Sequence, residues 1–186
     1  MAGMTNDQPV RIGDWMQTYT GLQFWPLDPR PSEISITDIA HALSMLCRYG
    51  GHTTRFYSVA EHCCHVHDFA SPQNKLWALL HDASEAYIAD IIRPIKPYLP
   101  GYKDAERKVM RAVCERFGLY PEEPVEVSVL DKRILGDEAA QVMSHPPEKW
   151  YYIGEPLHVT IQGWLPAQAE AEFLDRFCRL AKEPTP

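Results

Sequence analysis

The chain has 186 residues, of which 45% are hydrophobic and 23% are charged, a composition typical of a globular domain with a real core. Its net charge of −7 at pH 7 excludes the broad basic surface that duplex nucleic acid requires. It leaves room for a small phosphorylated ligand, because a few local basic groups are enough to bind one. No apolar run approaches the length of a membrane span, and the N-terminus lacks the pattern of a signal peptide.

Cysteine usage indicates a reducing compartment. The five cysteines are an odd number, show no C-x-x-C spacing and include the adjacent pair Cys63 and Cys64. A disulfide framework does not fit this pattern. We therefore expect a cytoplasmic protein with no membrane partner.

The first part of the chain carries little helical signal. Residues 1–14 are mostly polar and are expected to form a flexible segment, with one domain over residues 15–182. Aromatic and β-branched residues flank Thr20 and Gly21, which predicts a short β-hairpin followed by a loop stiffened by proline.

Helical patterns dominate the rest of the chain. The S-x-x-E spacing from Ser58 to Glu61 is that of a capping box, Pro72 and Pro166 open helices, and Gly118 closes one. The predicted helices span residues 37–48, 58–70, 72–90, 102–117, 123–143 and 166–180, with a long loop over residues 144–165. We therefore predict an all-α fold, a bundle of about six helices with a short N-terminal β-hairpin.

One predicted helix carries acids that nothing nearby neutralises. On a wheel of about 100° per residue, His81, Asp82 and Glu85 form one wedge opposite an apolar face, and only alanines flank them. No Lys or Arg occurs between Leu76 and Ile92. Carboxylates in an apolar segment need a cation, a donor or a proton, so this wedge favours a bound cation.

Two other helices also direct polar groups inward. His62 lies on the apolar side of its helix, whereas His65 and His67 fall on the polar side, and His65 is expected at the surface. Asp131 lies in the apolar stripe of the helix over 123–143, and Glu138 shares that stripe further along. Taken alone, an inward histidine is more often a hydrogen-bonded core residue than a functional one. An inward aspartate taken alone is as often part of an ion pair as of a functional site.

Considered together, these groups favour a metal site. His62, His81, Asp82 and Asp131 come from three helices, and imidazole and carboxylate ligands suit first-row divalent metals. One divalent ion would stabilise all four groups. Ligation by thiolates of Cys63 and Cys64 is the alternative, although Cys64 faces away on the wheel and no second cysteine pair exists.

The same residues carry a resemblance to a known family. The stretches VAEH at 59–62 and HDASEAYIADIIRPIK at 81–96 resemble the HD-domain metal-dependent phosphohydrolases, in particular their 5′-deoxynucleotidase branch. FWPLDPRP and GGHTTRFYSVAEH are similar to stretches of a related set of small phage and bacterial deoxynucleotide phosphohydrolases. The resemblance covers roughly residues 15–143. A His-Asp dipeptide alone is a weak signal, but Glu85, Asp90 and Lys96 stand at matching offsets from it.

The resemblance implies a single HD-domain bundle that holds one divalent metal ion, with Co, Mn, Zn, Mg and Fe not distinguished by sequence. Its ligands would be His62, His81, Asp82 and Asp131. The implied catalytic residue is Glu85, which would position or deprotonate the attacking water. This role fits its chemistry as well, because Glu85 lies one turn after His81 on the same side.

The resemblance also implies substrate contacts. Arg48 and Lys96 would bind phosphate, Asp90 would contact the sugar, and Tyr49 and Pro94 would lie against the base. Arg55 is a further phosphate contact without a firm match. Because Tyr49 stands where the family often has tryptophan and is followed by two glycines, a wider base pocket is expected.

Several functions remain open. The first is a phosphohydrolase that cleaves the 5′-phosphate ester of deoxynucleoside 5′-monophosphates to deoxynucleoside and phosphate. The alternative is a deoxynucleoside triphosphate triphosphohydrolase that prefers dATP and releases triphosphate; both attack the same phosphorus atom. A non-catalytic nucleotide-binding module and a structural helical domain with buried ion pairs are the other classes. We expect a small-molecule nucleotide substrate and a homo-oligomer, dimeric or higher.

Overall fold

The N-terminal hairpin is present. A computed structural model of the protein describes residues 10–148, 150 and 154–180. In it, β1 (Met16–Gln17) pairs in antiparallel fashion with β2 (Gln23–Phe24), and Gly21 adopts a φ of 86° in the connecting turn. Residues 1–9 of the predicted flexible segment, 149 and 151–153 of the predicted loop, and 181–182 of the predicted domain lie outside the described residues.

Helices make up most of the remaining structure. They are α1 (Ile36–Met45), α2 (Val59–Phe69), α3 (Lys75–Leu80), α4 (Glu85–Ile88), α5 (Tyr102–Phe117), α6 (Val125–Gln141) and α7 (Pro166–Leu180). Short 3₁₀ turns cover Pro31–Glu33, Arg48–Gly51, Pro72–Asn74 and Lys96–Tyr98. The prediction of an all-α fold with an N-terminal hairpin is confirmed. Among the described helices, none is long and apolar enough to cross a membrane.

The central element is α2, which packs against α1, α3, α6 and α7. The predicted N-cap is confirmed, since Ser58 Oγ accepts a hydrogen bond from the Glu61 backbone N–H at 3.1 Å. The expectation that His65 lies at the surface was wrong, because it is only 9% exposed, and His67 on the same polar side is 5% exposed. A helix covered on several sides buries its polar face as well as its apolar face, and its side chains must then find partners inside the protein.

The continuous helix predicted over residues 72–90 was also wrong. Pro72 begins a 3₁₀ turn, α3 ends at Leu80, and tight turns occupy residues 81–84 before the single turn of α4. The backbone N–H of Ala83 bonds to Leu80 O and that of Glu85 bonds to Asp82 O, both at 2.9 Å, a spacing of three residues. Because the chain is wound more tightly after Leu80, an α-helical wheel does not describe which faces the side chains after Leu80 occupy.

Two apolar clusters lie around α2. The first includes Phe24, Leu43, Leu79, Val109 and Phe173, and the second includes Tyr57, Trp77, Val127, Ile134 and Ile161. Cys63 of α2 belongs to the first cluster and Val66 to the second. The polar side chains of α2 are therefore held within a packed interior, which limits their movement.

Candidate functional site

Two histidines and two aspartates converge between α2, the turn after α3, and α6. His62 Nε2 lies 3.1 Å from His81 Nε2, 3.2 Å from Asp131 Oδ1 and 3.7 Å from Asp82 Oδ2. His81 Nε2 lies 3.3 Å from Asp82 Oδ2 and 3.9 Å from Asp131 Oδ1. The structure thus brings together all four of the predicted metal ligands.

The second nitrogen of each imidazole ring fixes which nitrogen faces the cluster. His81 Nδ1 lies 2.8 Å from the Ala78 carbonyl oxygen, and His62 Nδ1 lies 2.8 Å from Glu138 Oε1. A carbonyl oxygen and a carboxylate only accept hydrogen bonds, so Nδ1 is the donor in both rings. Nε2 of each ring is left as the ligand atom, which is the usual arrangement of histidines that bind metals.

The electrostatics of the cluster favour a positive charge at its centre. Burial and the Arg48 charge oppose a proton on His62, but Glu138 and Asp131 raise the pKa of His62 to about 9. Burial alone would raise the pKa of Asp131, yet its hydrogen bond to His62 and the charges of His62 and His81 lower it. Two imidazole nitrogens and two carboxylate groups form a donor set that suits a divalent first-row metal ion.

A second grouping of potential ligands involves a thiol. Ligand atoms of Cys63, His81 and Asp82 also lie within 4.8 Å of one another, whereas Cys64 belongs to neither described group. Burial is the largest cause of a raised pKa for the Cys63 thiol, and Asp82 adds to it. A thiol that retains its proton is a weak ligand, so the histidines and carboxylates remain the better donors.

Glu138 belongs to this site by its contacts, although no role was predicted for it from the sequence. It is fully buried and accepts hydrogen bonds from the hydroxyls of Tyr49 and Tyr57 and from His62 Nδ1. Arg48 Nε lies 3.1 Å from its Oε1, and Arg48 Nη2 donates to its Oε2 at 3.2 Å. Burial disfavours its charge, but Arg48 and His62 lower the pKa of Glu138 to about 2. Its place two turns after Asp131 on the same stripe was the available signal.

Glu85 lies beside the cluster with one oxygen free of protein partners. Its side chain is 7% exposed, and Oε2 is buried without a hydrogen-bond partner among the described residues. Burial is the largest cause that raises the pKa of Glu85, followed by the charges of Asp82 and Asp90, to about 9. Lys96 Nζ, 3.5 Å from Oε1, opposes this shift. A cation bound at the neighbouring ligands would act in the same direction as Lys96, lowering the pKa of Glu85 and favouring its charged carboxylate.

A cavity of about 280 Å³ adjoins the cluster. Its lining consists of Trp77, His81, Asp82, Ser84, Glu85, Lys96, Glu106, Arg107, Met110, Glu123 and Asp131. Lys96 Nζ is 3.2 Å from Glu106 Oε1, so this lysine lies between two carboxylates. Five of the predicted site residues therefore border one cavity large enough for a small phosphorylated group.

Arg48 and Tyr49 contact the ligand cluster and its neighbour Glu138 but are not among the described residues that line this cavity. Arg48 Nη1 is 3.5 Å from Asp82 Oδ2, which keeps one prong of the guanidinium close to a predicted metal ligand. Tyr49 adopts a φ of 56°, in the left-handed region, and its hydroxyl donates a hydrogen bond to Glu138. Its ring lies against Trp150, with the ring centroids 5.6 Å apart.

The other predicted substrate contacts are placed less directly. Asp90 is half-buried and acts on the charge of Glu85, and it follows the α4 terminus. Pro94 is exposed, in a turn before Lys96. Arg55 donates from Nη2 to the Ile161 carbonyl oxygen at 2.7 Å. Of the described residues that line the cavity, none is Asp90, Pro94 or Arg55.

Similar proteins come from two bacteria. No protein-family model matches the sequence. The chain is 37% identical over 124 residues to the uncharacterized protein YfdR of Escherichia coli K12, covering 67% of this chain and 70% of YfdR. It is 39% identical over 115 residues to an uncharacterized protein of Rhodobacter capsulatus, covering 56% of this chain and 59% of that relative. Because more than two thirds of YfdR is matched at this identity, the chain belongs to the same protein family as YfdR.

Proposed function

We propose that the protein is a metal-dependent phosphohydrolase of the HD-domain type that cleaves the 5′-phosphate ester of deoxynucleoside 5′-monophosphates. The observation that carries this proposal is the convergence of His62 Nε2 and His81 Nε2 with two carboxylates, beside the free Oε2 atom of Glu85. A structural ion-pair core does not explain why Glu85, which lines the cavity, has a buried carboxylate oxygen without a donor among the described residues.

The residues that would hold a divalent metal ion are His62, His81, Asp82 and Asp131. Such an ion would lower the pKa of a nearby water and offset negative charge on a phosphoryl oxygen. All four ligand atoms are anionic or carry lone pairs. Of the described Lys and Arg side chains at the site, Arg48 reaches one ligand, Asp82, and Lys96 reaches Glu85, which is not a ligand. This donor set supports a metal-binding site.

Glu85 has the geometry of a water-positioning base. Its Oε1 faces Lys96 and its Oε2 is free, so a water placed between Oε2 and the ligand cluster has an acceptor for one of its protons. In the hydrolysis, the water oxygen bonds to phosphorus, its proton passes to Glu85, and the bond from phosphorus to the 5′ oxygen breaks. The 5′ oxygen then takes a proton from solvent, which gives deoxynucleoside and phosphate.

The charges around the cavity favour a single phosphate group over a triphosphate. The acids of its lining are Asp82, Glu85, Glu106, Glu123 and Asp131, and its basic side chains are Lys96 and Arg107. Lys96 is bracketed by two carboxylates, and Arg107, with a 78% exposed side chain, pairs with Asp104 at 3.0 Å. Added phosphates would meet uncompensated carboxylates in place of the basic clamp that a polyphosphate needs.

A product screen tests the proposal. The purified protein, supplied with each candidate metal in turn, is incubated with deoxynucleoside mono-, di- and triphosphates, and products are identified by ion chromatography. We expect phosphate release from monophosphates to be fastest. Glu85→Gln should lower turnover by about 10²–10⁴-fold, whereas Glu122→Gln, an exposed neighbour of the cavity residue Glu123, should retain it. Release of intact triphosphate would favour the triphosphohydrolase, and nucleotide binding without turnover would favour a binding module.

A further inference from the structure

Glu138 joins the predicted metal ligand His62 to Arg48, the side chain that the family resemblance makes a phosphate contact. One of its carboxylate oxygens accepts from the metal-ligand residue His62 at 2.8 Å, and the same group is paired with Arg48 through Nε at 3.1 Å and Nη2 at 3.2 Å. A carboxylate that is 0% exposed is fixed in place by these partners, and it fixes them in turn.

The contact with His62 sets both the proton and the ring plane. Because Glu138 only accepts, Nδ1 of His62 carries hydrogen, and Nε2 faces His81 and Asp131. The backbone carbonyl of Ala78 performs the same task for His81. The difference is that Glu138 carries a negative charge, which increases the basicity of the ligand nitrogen in a way that a carbonyl does not match.

The contact with Arg48 sets the direction of a guanidinium group. Nη2 donates a hydrogen bond to Glu138 Oε2, and Nε lies at ion-pair distance from Oε1 without forming a hydrogen bond, so Nη1 is the nitrogen left near Asp82 Oδ2, at 3.5 Å. Tyr49 adds its hydroxyl to the same carboxylate while its backbone adopts a φ of 56°, a conformation that a non-glycine residue rarely holds without support. The turn that carries Arg48 is thus tied to Glu138 at two successive residues.

We infer that Glu138 is a positioning residue that couples metal binding to phosphate binding by orienting His62 and Arg48 through one carboxylate. The phosphate half of this inference rests on the proposed function, and the metal half does not. A carboxylate with only a structural role would stabilise the fold without favouring either ligand.

Metal titration separates these roles. Glu138→Gln keeps the shape of the side chain and removes its charge, so zinc affinity, measured by competition with a chelator, should fall about 10–100-fold. The matched control is Asp137→Asn, because Asp137 is also a buried carboxylate of α6 and accepts from the Leu157 backbone N–H at 2.8 Å, away from the ligand cluster. It should lower the melting temperature and leave zinc affinity unchanged. Equal zinc affinities for the two variants would overturn the inference.

Inorganic phosphate tests the second half at saturating zinc. Its affinity should fall about tenfold in Glu138→Gln, which corresponds to the loss of one hydrogen bond to a charged group. A rise in phosphate affinity would mean that Glu138 holds Arg48 away from the ligand, and the coupling would be wrong. If Glu138→Gln weakened zinc binding but the wild-type protein hydrolysed no phosphate ester, the proposed function would be refuted and the role of Glu138 at His62 would be retained.

A measurement on the wild-type protein tests the inference even if the variants do not fold. With zinc bound, ¹⁵N spectra of the imidazole groups should report His62 with hydrogen on Nδ1 and none on Nε2. The opposite pattern would show that Glu138 does not set the ligand nitrogen, and the inference would fail.

Discussion

His62 and His81 present the same ring nitrogen to each other, with their Nε2 atoms 3.1 Å apart. Each ring has its Nδ1 held by an acceptor, Glu138 for one and the Ala78 carbonyl oxygen for the other. Two ligand nitrogens at this distance, with Asp131 3.2 Å from the first, repel one another unless positive charge lies between them. This relationship leads to the first prediction.

Removing the metal should destabilise the protein as well as inactivate it. Prolonged chelation of the metal-loaded protein should lower its melting temperature by about 5–10 °C, because a ligand at a hundred times its Kd contributes about 2.7 kcal/mol. Asp131→Ala should reduce metal content and abolish the response to the chelator. Elemental analysis and thermal melts measure both effects.

The control for this experiment is Asp175→Ala. Asp175 is an exposed acid that pairs with Arg179 within α7 at 2.6 Å, so its loss should leave metal content unchanged. If Asp131→Ala retained full metal content and full rate, the ligand assignment would be wrong.

Glu85→Ala should separate turnover from binding. General-base assistance contributes typically about 10²–10⁴-fold in rate, so turnover should fall by that factor while metal content is retained and nucleotide affinity stays within a few-fold. Single-turnover kinetics, elemental analysis and calorimetric titration with a deoxynucleoside monophosphate measure the three quantities. Near-normal turnover with depleted metal would make Glu85 a structural counter-charge.

The ligand set could be predicted because each ligand contradicts its local pattern. Asp131 interrupts an apolar stripe, His62 lies on an apolar side, and the acids after Leu80 lack basic neighbours. Each of these groups costs free energy when the apolar face of its helix is buried, and the chain offers no local compensation. The compensation is tertiary, and the structure brings the residues together as expected.

The surroundings of the ligands could not be predicted in the same way. On a helical wheel Glu61 falls on the polar side of α2, but its carboxylate is fully buried and accepts hydrogen bonds from the backbone N–H groups of Gln162, Gly163 and Trp164 at 2.6–3.0 Å. A helical wheel describes one helix and contains no information on a loop that covers it from a hundred residues away. The break after Leu80 was missed because turns with hydrogen bonds across three residues preserve nearly the same apolar spacing over so short a stretch.

Lowering the pH should remove a contact at the start of α6. Glu126 accepts hydrogen bonds from the backbone N–H of Ser71 at 3.1 Å and from the side chains of Ser71 and Asn74, which lower the pKa of Glu126. A carboxylate with a lowered pKa in the folded state stabilises the fold above its unfolded pKa of 4.5, and this stability is lost as the pH falls through the folded pKa.

The comparison with Glu126→Gln measures this contribution. At pH 7 the variant should melt about 2–4 °C lower, since one such contact near the surface contributes about 1 kcal/mol. The difference should persist to about pH 5 and shrink below the ordinary pKa of glutamate. A difference that stays constant down to pH 3 would show that the contacts do not depend on the charge.

Ala89 holds an unusual backbone conformation next to the proposed site. Its φ of 66° and ψ of 158° fall in a region that is essentially restricted to glycine and costs an alanine about 1–3 kcal/mol. The Tyr102 hydroxyl donates to its carbonyl oxygen at 2.9 Å. Ala89→Gly should therefore raise the melting temperature by a few degrees, measured by thermal unfolding. Ala171→Gly, on an exposed position of α7, should lower it; a decrease in both variants would contradict the strain.

Asp90 directly follows this strained residue. We predict that Asp90 makes the protein discriminate between deoxyribose and ribose more strongly than between the bases. The resemblance places Asp90 at a sugar contact, its charge acts on Glu85, and the preceding peptide is held by Tyr102. A carboxylate that loses its hydrogen-bond partner costs about 1–3 kcal/mol, which gives roughly tenfold or greater discrimination. We expect kcat/KM for deoxynucleoside monophosphates to exceed that for matched ribonucleotides by at least this factor, with the four bases within a few-fold.

Asp90→Asn should reduce the preference, whereas Asp104→Asn, an exposed acid of α5, should preserve it. Equal kcat/KM for the two sugars in the wild-type protein would refute the role of Asp90.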